Sequence, residues 1–325
     1  MSDLRLIAIL GGSGSGKSAL GLELAHQLDC EIFSLDSLSI YREIDIASAK
    51  PTQAELQAIH HYAINHLKPT EENNAMLFHS LLLEAIAQTK HKGKDTLLII
   101  GGSSFYLKSI LGGLSAMPTL TTQQKQEIHQ QIAQISNPYE FLLSIDSQTT
   151  INPKDSYRVC KALEIYFATH TPPTQYFQEN PQKPFCYPIE KYSLALERQV
   201  LRERISQRTQ AMIANGLIDE VQNLIRNYGT HIQPANAIGV KETIEYLSQT
   251  PLNPKPTIIA QNLEELGSLI STHTAQLAKR QNTFNRTQFG VPLHCNQSPD
   301  RIYAISDIVY GNQQELYQQI LSQAR

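Results

Sequence analysis

A glycine-rich stretch near the N-terminus constrains the fold of this 325-residue chain more than any other feature. The stretch, GGSGSGKS at residues 11–18, follows an apolar run at residues 4–10 and precedes a helical pattern at residues 19–28. Glycines let successive backbone N–H groups point into one concavity, and the following helix adds unpaired N–H donors and the positive end of its dipole. The order of strand, glycine loop and helix therefore predicts a phosphate-binding P-loop.

Every residue of this loop is a candidate phosphate ligand: Gly11, Gly12, Ser13, Gly14, Ser15, Gly16, Lys17 and Ser18. In a P-loop the lysine places its ammonium between phosphates, and the hydroxyl that follows it, here that of Ser18, holds Mg²⁺. The motif thus predicts Mg²⁺ as a cofactor. It leaves open whether the phosphate belongs to ATP, GTP or another diphosphate.

Size and composition limit the class of protein. The 325 residues are enough for two domains or for one domain with an insertion, and 27 basic against 30 acidic residues give no global attraction to nucleic acid. No apolar run reaches the roughly 18 residues of a membrane span, so we expect neither a membrane anchor nor a signal peptide. The chain is predicted to be cytoplasmic and, with no evident oligomerisation element, monomeric.

The cysteine and histidine patterns argue against zinc sites and disulfides. The four cysteines include no CxxC pair and lie at Cys30, Cys160, Cys186 and Cys295. His60, His61 and His66 lack a helical pair with an adjacent carboxylate, and Mg²⁺ prefers oxygen ligands.

Two further strand candidates deliver polar residues to the same edge as the P-loop. Residues 30–35 precede Asp36, and the apolar run at residues 96–100 precedes a second glycine turn that contains Ser103. In open α/β sheets, ligands bind outside the carboxyl ends of the strands, so both residues are candidates for chemistry. An aspartate or serine in such a position is also typical of a turn or a helix N-cap, and both roles are compatible.

The pattern changes in the middle of the chain. Residues 117–197 are rich in Gln, Thr and Pro, lack the pattern of a buried strand, and contain helical patterns near 121–135, 137–146 and 155–168. We therefore expect a helical insertion in this region.

The remaining segments predict an α/β core of the P-loop NTPase type, with a parallel sheet flanked by helices. Residues 1–116 and 198–310 would form this discontinuous core. Residues 311–325 are predicted as a C-terminal helix or tail.

Basic residues cluster locally on this nearly neutral chain. Residues 197–227 have the pattern of one long helix, which carries Arg198, Arg202, Arg204 and Arg208. No acidic residue lies between Glu265 and Asp300, a stretch that contains Lys279, Arg280 and Arg286. Such a stripe fits phosphodiester contacts, although a basic helix face is more often simply solvated. On pattern alone, the pair Arg158 and Lys161 also fits a solvated basic edge better than an RNA contact.

Taken in order, several segments resemble one family, the bacterial tRNA dimethylallyltransferases, also called tRNA isopentenyltransferases, over most of residues 4–290. Beside the P-loop, the matching segments are Asp36-Ser37, Tyr41-Arg42, Asp45-Ile46, Ala49-Lys50-Pro51-Thr52, His60-His61, Gly101-Gly102-Ser103 with Tyr106-Leu107, Arg158 with Ala162-Leu163-Glu164, Ala237-Ile238-Gly239-Val240-Lys241-Glu242 and Ala278-Lys279-Arg280-Gln281. The chain departs from the usual family residue at Gly12 (Pro), Ser103 (Thr), Tyr157 (Gln), Lys161 (Arg), Val240 (Tyr), Ala275 (Arg), Phe284 (Trp) and Asn285 (aromatic or aliphatic).

The resemblance implies a reaction. The P-loop would hold dimethylallyl diphosphate, whose dimethylallyl group would pass to the N6 amine of adenosine 37 in tRNAs that read codons beginning with U, without use of ATP. Asp36 would act as the general base and Ser103 would orient the base or the diphosphate. Lys17, Mg²⁺ on Ser18, and Arg208 would stabilise the charge that develops on the leaving diphosphate. The adenine would have to flip into a channel to reach the P-loop.

The resemblance also implies a set of tRNA contacts, with the insertion gripping the anticodon stem. The expected contacts are Asp36, Ser37, Leu38, Ser39, Ser103, Lys125, Tyr157, Arg158, Lys161, Lys279, Arg280, Gln281 and Arg286. Three alternatives stay open: a small-molecule kinase with a P-loop and a strand-end aspartate, an RNA-binding protein with an inactive nucleotide site, and an enzyme that prenylates free adenine nucleotides.

Overall fold

A computed structural model of the protein describes residues 4–181, 185–252, 258–289 and 308–323. The chain divides into two units, Met1–Lys108 with Cys186–Arg325, and Ser109–Phe185. The first unit contains a six-stranded sheet in the order β3-β2-β4-β1-β5-β6, in which every neighbouring pair is parallel. Its strands are β1 Arg5–Leu10, β2 Glu31–Ser34, β3 His61–Tyr62, β4 Thr96–Ile100, β5 Ile189–Leu194 and β6 Val309–Gly311.

Helices connect these strands and form the second unit. In chain order they are α1 Lys17–Gln27, α2 Gln53–Ala58, α3 Ala75–His91, α4 Ser104–Gly112, α5 Thr122–Ala133, α6 Pro138–Ile145, α7 Ser156–Thr169, α8 Pro173–Glu179, α9 Arg198–Ala214, α10 Leu217–Tyr228, α11 Val240–Ser248, α12 Leu263–Gln288 and α13 Gln313–Ser322, with a 3₁₀ turn at Gln233–Asn236. The predicted α/β class with a parallel sheet flanked by helices is confirmed.

The sheet is held by apolar strands that are covered on both faces. In β1, Ile7 and Ile9 are fully buried and pair in register with Leu98 and Ile100 of β4. Leu20 of α1 packs in the same core. Burying such runs on both faces is typical of central parallel strands, and it brings the carboxyl ends of β1, β2 and β4 to one edge.

The strand β5 was not expected. It pairs with β1, although its residues fall within the range 117–197 assigned to the insertion. Its sequence, IEKYSL, carries charges instead of a continuous apolar run, and so it does not have the pattern of a buried strand. The carboxylate of Glu190 is paired in the fold, because Arg5 Nη2 of β1 donates to Glu190 Oε2 over 2.7 Å.

The single long helix expected at 197–227 is two helices. The α9 helix ends at Ala214, and α10 begins at Leu217. Gly216 between them has φ +100°, a left-handed conformation that glycine adopts without strain and that interrupts an α-helix.

The helical unit has its own core, formed by Ile128, Leu142, Val159 and Leu163 among others. Three of its helices match the patterns expected near 121–135, 137–146 and 155–168, and each begins at a capping side chain: Thr121, Asn137 and Asp155. The unit spans Ser109–Phe185 and therefore starts and ends earlier than the insertion expected at 117–197. At the C-terminus, α13 packs on α1 through Leu316 and Ile320, so the predicted tail helix is part of the sheet unit.

Candidate active site

The glycine loop lies between β1 and α1, as the motif predicts, and helix α9 packs directly against it. Gly14 has φ +82° and Gly16 has φ +95°, conformations that an L side chain rarely adopts. A Cβ atom on Gly14 would also lie 2.9 Å from Ile205 Cγ1 of α9. The loop therefore needs glycine both for its backbone and for its contact with α9.

The ammonium of Lys17 folds back on the loop, where Nζ donates to the Gly12 carbonyl over 3.1 Å. Burial lowers the pKa of Lys17 to about 8, with Asp36 acting to raise it and Arg208 to lower it. A cation that is poorly solvated in this way gains strongly from an anion, so the loop is suited to a phosphorylated ligand.

Two arginines of α9 face the loop. Arg208 Nη2 donates to Ser13 Oγ over 2.9 Å, and burial lowers the pKa of Arg208. Arg204 lies one turn earlier, and a Cβ atom on Gly16 would be 3.3 Å from its Nη1. The sequence analysis did not assign Arg204 to the site, although the i, i+4 spacing of the two arginines puts them on one helix face.

Some buried polar atoms around the loop have no partner. Within the part of the chain that the structure describes, neither Ser15 Oγ nor Arg208 Nε makes a hydrogen bond. An unpaired buried donor is costly, and an anion bound at the loop would satisfy that of Arg208.

Asp36 follows β2, and one of its carboxylate oxygens forms the turn considered for it. Its Oδ1 accepts hydrogen bonds from the backbone N–H groups of Leu38 at 2.8 Å and Ser39 at 3.1 Å, which form an Asx turn. Among the described residues, none donates a hydrogen bond to Oδ2. The turn thus orients a carboxylate whose second oxygen is available to a substrate.

Ser103 holds the neighbouring turn against this loop. Its Oγ accepts from the Ser37 N–H over 3.2 Å, and its own N–H donates to the Leu35 carbonyl over 3.2 Å. A Cβ atom on Gly101 would lie only 1.9 Å from that carbonyl oxygen. This close approach requires glycine and brings the ends of β2 and β4 together.

A second group of residues, to which the sequence analysis gave no role, holds the Asp36 loop through hydrogen bonds. Asn73 Nδ2 donates to the Ser37 carbonyl over 2.7 Å, and Tyr106 OH donates to Asn73 Oδ1 over 2.7 Å. Asn73 is buried, so these bonds form in a shielded environment and hold the loop rigidly. Tyr106 lies in a segment that the sequence analysis matched to the family, whereas Asn73 carried no signal.

These elements surround one cavity of about 1000 Å³. Its polar lining residues are Lys17, Ser18, Asp36, Ser37, Ser39, Ser103, Arg204 and Arg208, with apolar Leu38 among them in the Asp36 loop, and α12 adds polar Arg280 and Gln281 and apolar Phe284. Its apolar wall includes Ile64, Ile238 and Leu277. Phe105 and Phe284 meet there edge to face, with ring centroids 6.4 Å apart. The cavity therefore joins an anion site, a free carboxylate oxygen and an apolar wall.

The basic stripe of α12 does not form one surface. Arg280 lines the cavity that holds the P-loop and Asp36. Lys279 and Arg286 instead line a different groove of about 1190 Å³, together with Arg198 and Arg202 of α9. Gln281 is hydrogen-bonded between the two glycine turns: Oε1 accepts from the Ser13 N–H and Nε2 donates to the Gly102 carbonyl, each over 2.9 Å.

The remaining predicted tRNA contacts lie in the helical unit. Arg158 Nε is 3.4 Å from Asp155 Oδ2, and Lys161 Nζ is 2.8 Å from Glu164 Oε2. Lys125 and Tyr157 are exposed. Ion pairing reduces the net positive charge of this face without removing the exposed cations.

The described ranges contain no cluster of three or more His, Cys, Asp or Glu side chains suited to a metal ion. Cys30, Cys160 and Cys186 form no disulfide within the described residues, and Cys295 lies outside them. No helix in the described part of the chain has the length and apolarity needed to cross a bilayer.

The fold and the site define a class, the α/β P-loop proteins that bind a phosphorylated substrate. A P-loop follows one parallel strand, a carboxylate follows another, and a packed helix supplies arginines. The family model described as IPP transferase matches residues 39–288. The chain belongs to this family.

Relatives and solved structures agree with that assignment. The chain is 52% identical over 287 residues to a tRNA dimethylallyltransferase of Helicobacter pylori strain J99, covering 88% of each, and 46% identical over 288 residues to that of Wolinella succinogenes, covering 88% and 93%. The crystal structure of the full-length tRNA isopentenylpyrophosphate transferase of Bacillus halodurans aligns with a TM-score of 0.64 at 25% identity, over 98% of this chain and 96% of that one. A eukaryotic dimethylallyltransferase acting on tRNA shares the fold, with a TM-score of 0.71.

Proposed function

We propose that this protein transfers the dimethylallyl group of dimethylallyl diphosphate to the N6 amine of adenosine 37 in tRNAs that read codons beginning with U, and releases diphosphate. The observation that carries the proposal is that one cavity holds the P-loop cations, the free oxygen of Asp36 and an apolar wall. Family membership selects this reaction among those that such a cavity allows.

The anion site accounts for the leaving group. As the bond between the allylic carbon and the diphosphate oxygen breaks, negative charge grows on the diphosphate. Lys17, Arg204 and Arg208 line the cavity, and hydrogen bonds to Gly12 and Ser13 orient Lys17 and Arg208. Preorganised donors of this kind stabilise developing charge most effectively where water is excluded.

The Ser18 hydroxyl lines the cavity next to Lys17, and an oxygen donor beside a diphosphate suits a hard cation such as Mg²⁺. Ser18 would hold that ion, which when bound neutralises charge on the diphosphate.

Asp36 accounts for the acceptor. As the adenine amine attacks the allylic carbon, a C–N bond forms, and one N–H proton passes to a carboxylate oxygen. Because Oδ1 is held in the turn, Oδ2 is the oxygen that takes the proton. A positioned general base contributes typically about 100- to 10,000-fold to the rate.

The aromatic wall accounts for the group that is transferred. The dimethylallyl group is apolar and carries positive charge as the diphosphate leaves. The faces of aromatic rings attract cations, and Phe105 and Phe284 supply such rings in the cavity. Phe284 therefore keeps the aromatic character of the tryptophan that is usual in the family.

We further propose that the cations of the helical unit, Lys125, Arg158 and Lys161, hold the anticodon stem with Tyr157, and that the adenine enters the cavity in a flipped conformation. We expect the protein to act as a monomer in the cytoplasm. Light scattering of the purified protein, alone and with one equivalent of tRNA, tests the oligomeric state.

The decisive experiment measures transfer of label from dimethylallyl diphosphate to an unmodified tRNA that carries adenosines at positions 36 to 38, with and without Mg²⁺. We expect Mg²⁺-dependent label at position 37 and no hydrolysis of ATP in a parallel assay. Turnover of ATP with unlabelled tRNA would instead support the small-molecule kinase alternative.

A further inference from the structure

We propose that Gln281 is a positioning residue that sets the distance between the diphosphate-binding loop and the loops that carry Ser103 and Asp36, and that it is not a contact to tRNA. This inference rests on the proposed function, because it concerns the geometry of the same reaction.

Both atoms of the Gln281 amide are engaged with backbone. Oε1 accepts from the N–H of Ser13 in the P-loop, and Nε2 donates to the carbonyl of Gly102 in the second glycine turn, each over 2.9 Å. These two turns follow β1 and β4, which are neighbours in the sheet. One side chain of α12 therefore connects the turns at the carboxyl ends of two neighbouring strands.

The hydrogen-bonded connection extends to the anion site on one side and to the Asp36 loop on the other. Ser13 also accepts a hydrogen bond from Arg208 through its hydroxyl, so the residue that contacts Gln281 also contacts a cation of the anion site. On the other side, Gly102 precedes Ser103, whose Oγ accepts from the N–H of Ser37 beside Asp36. A shift of Gln281 would thus change the spacing between the diphosphate and the general base.

Packing supports the same role. A Cβ atom on Gly102 would lie 2.5 Å from Gln281 Nε2, and one on Gly12 would lie 3.0 Å from Ala278 Cβ, one turn earlier on α12. The helix therefore lies directly on the backbone of both glycine turns. Such contact leaves the Gln281 amide little freedom to turn towards a second partner.

Misplacing reacting groups by about 1 Å can cost about 100-fold in rate without loss of binding. Replacing Gln281 by methionine keeps the length of the side chain and removes both hydrogen bonds. We expect Gln281→Met to lower kcat at least about 10-fold and to leave KM for tRNA within about 2-fold of the wild type. Gln288→Met is the matched control, since Gln288 lies on the same helix and is exposed; we expect it to retain wild-type kinetics.

A second variant probes the contact from its other side. Gly102→Ala should displace the Gln281 amide, so we expect a similar loss of kcat. Because methionine can move away from the new methyl group, the double variant should lose less than the product of the two single losses, which reports direct coupling.

A rise of KM for tRNA with unchanged kcat would overturn the inference and make Gln281 an RNA contact. Wild-type kinetics in Gln281→Met, or independent losses in the double variant, would also overturn it. Circular dichroism melting of each variant separates these results from unfolding, which would lower the melting temperature and the active fraction together. A wild type that transfers no label would overturn the proposed function and this inference with it, whereas an active wild type beside an unaffected Gln281→Met variant would overturn the inference alone.

Discussion

Arg208 of α9 donates a hydrogen bond from Nη2 to Ser13 Oγ over 2.9 Å, across 195 positions of sequence. This contact places a permanent cation on the P-loop, whose own residues supply only Lys17. The Nε of the same guanidinium has no partner among the described residues. Arg208 is therefore prepared for an anion that the loop alone would hold less tightly.

Arg208→Ala should mainly impair use of the diphosphate substrate. We expect kcat/KM for dimethylallyl diphosphate to fall by about 100-fold or more, because a charge-stabilising donor is lost, while the Kd for tRNA stays unchanged. Steady-state kinetics with each substrate varied in turn measure this. Arg226→Ala, at an exposed position of α10, is the control; an unaffected Arg208 variant would show that the diphosphate lies elsewhere.

Asp36→Asn should separate the two roles of this carboxylate. The amide keeps an acceptor oxygen for the Leu38 and Ser39 N–H groups, so the turn should persist, but it cannot take the proton. We expect single-turnover rates to fall by at least about 100-fold with tRNA binding retained. Filter binding and rapid quench measure the two quantities. Turnover at the wild-type rate would remove Asp36 as the base.

The lowered pKa of Lys17 predicts a pH dependence of substrate use. Burial lowers the pKa of Lys17 in the free enzyme from its ordinary value of 10.5 to about 8. Above that pH the P-loop loses a positive charge, so KM for dimethylallyl diphosphate should rise. Bound diphosphate raises the pKa of Lys17 again, so binding should take up protons.

Calorimetry of inorganic diphosphate binding in two buffers of different ionisation enthalpy, at a pH of about 8, measures that uptake. A Lys17→Arg variant keeps its charge over this range, and its binding should show neither the proton uptake nor the rise. Equal proton uptake in both proteins would assign the titration to another group.

Asn285 predicts a stabilising substitution. It is fully buried on α12, and neither atom of its amide finds a hydrogen-bond partner within the described ranges. An unsatisfied buried polar group costs about 1–3 kcal/mol, so Asn285→Leu should raise the free energy of unfolding by about 1 kcal/mol or more. Thermal and urea denaturation measure it, with Asn227→Leu at an exposed position of α10 as the control. A lower stability of Asn285→Leu would indicate that the amide has a partner.

The division of the basic stripe predicts different phenotypes for adjacent residues. Lys279→Ala should weaken tRNA binding and reduce its dependence on salt, as expected for a contact to phosphate. Arg280→Ala, in the cavity, should lower the rate of transfer more than the affinity for tRNA. Binding titrations at several salt concentrations, combined with single-turnover assays, distinguish these outcomes. Identical effects of both variants would mean that the stripe acts as one surface.

Local patterns were sufficient for much of the site. The P-loop, Asp36 and Ser103 could be placed on one edge of a sheet from sequence, because parallel strands deliver their carboxyl ends to the same side. The long-range contacts could not be placed in this way. Gln281 was grouped with the basic residues beside it, and only the packing of α12 on two glycine turns shows that its amide is bound to Ser13 and Gly102.

By itself, the sequence determined the α/β class, the phosphate loop and the helices of the middle segment, since each depends on residues that are near one another in the chain. The tertiary structure alone decided that β5 joins the sheet, that Arg204 faces the P-loop, and that the stripe on α12 divides between two cavities. The physical reason is common to all three. A charged side chain has no strong local preference, and its role depends on the partner that a distant segment brings to it.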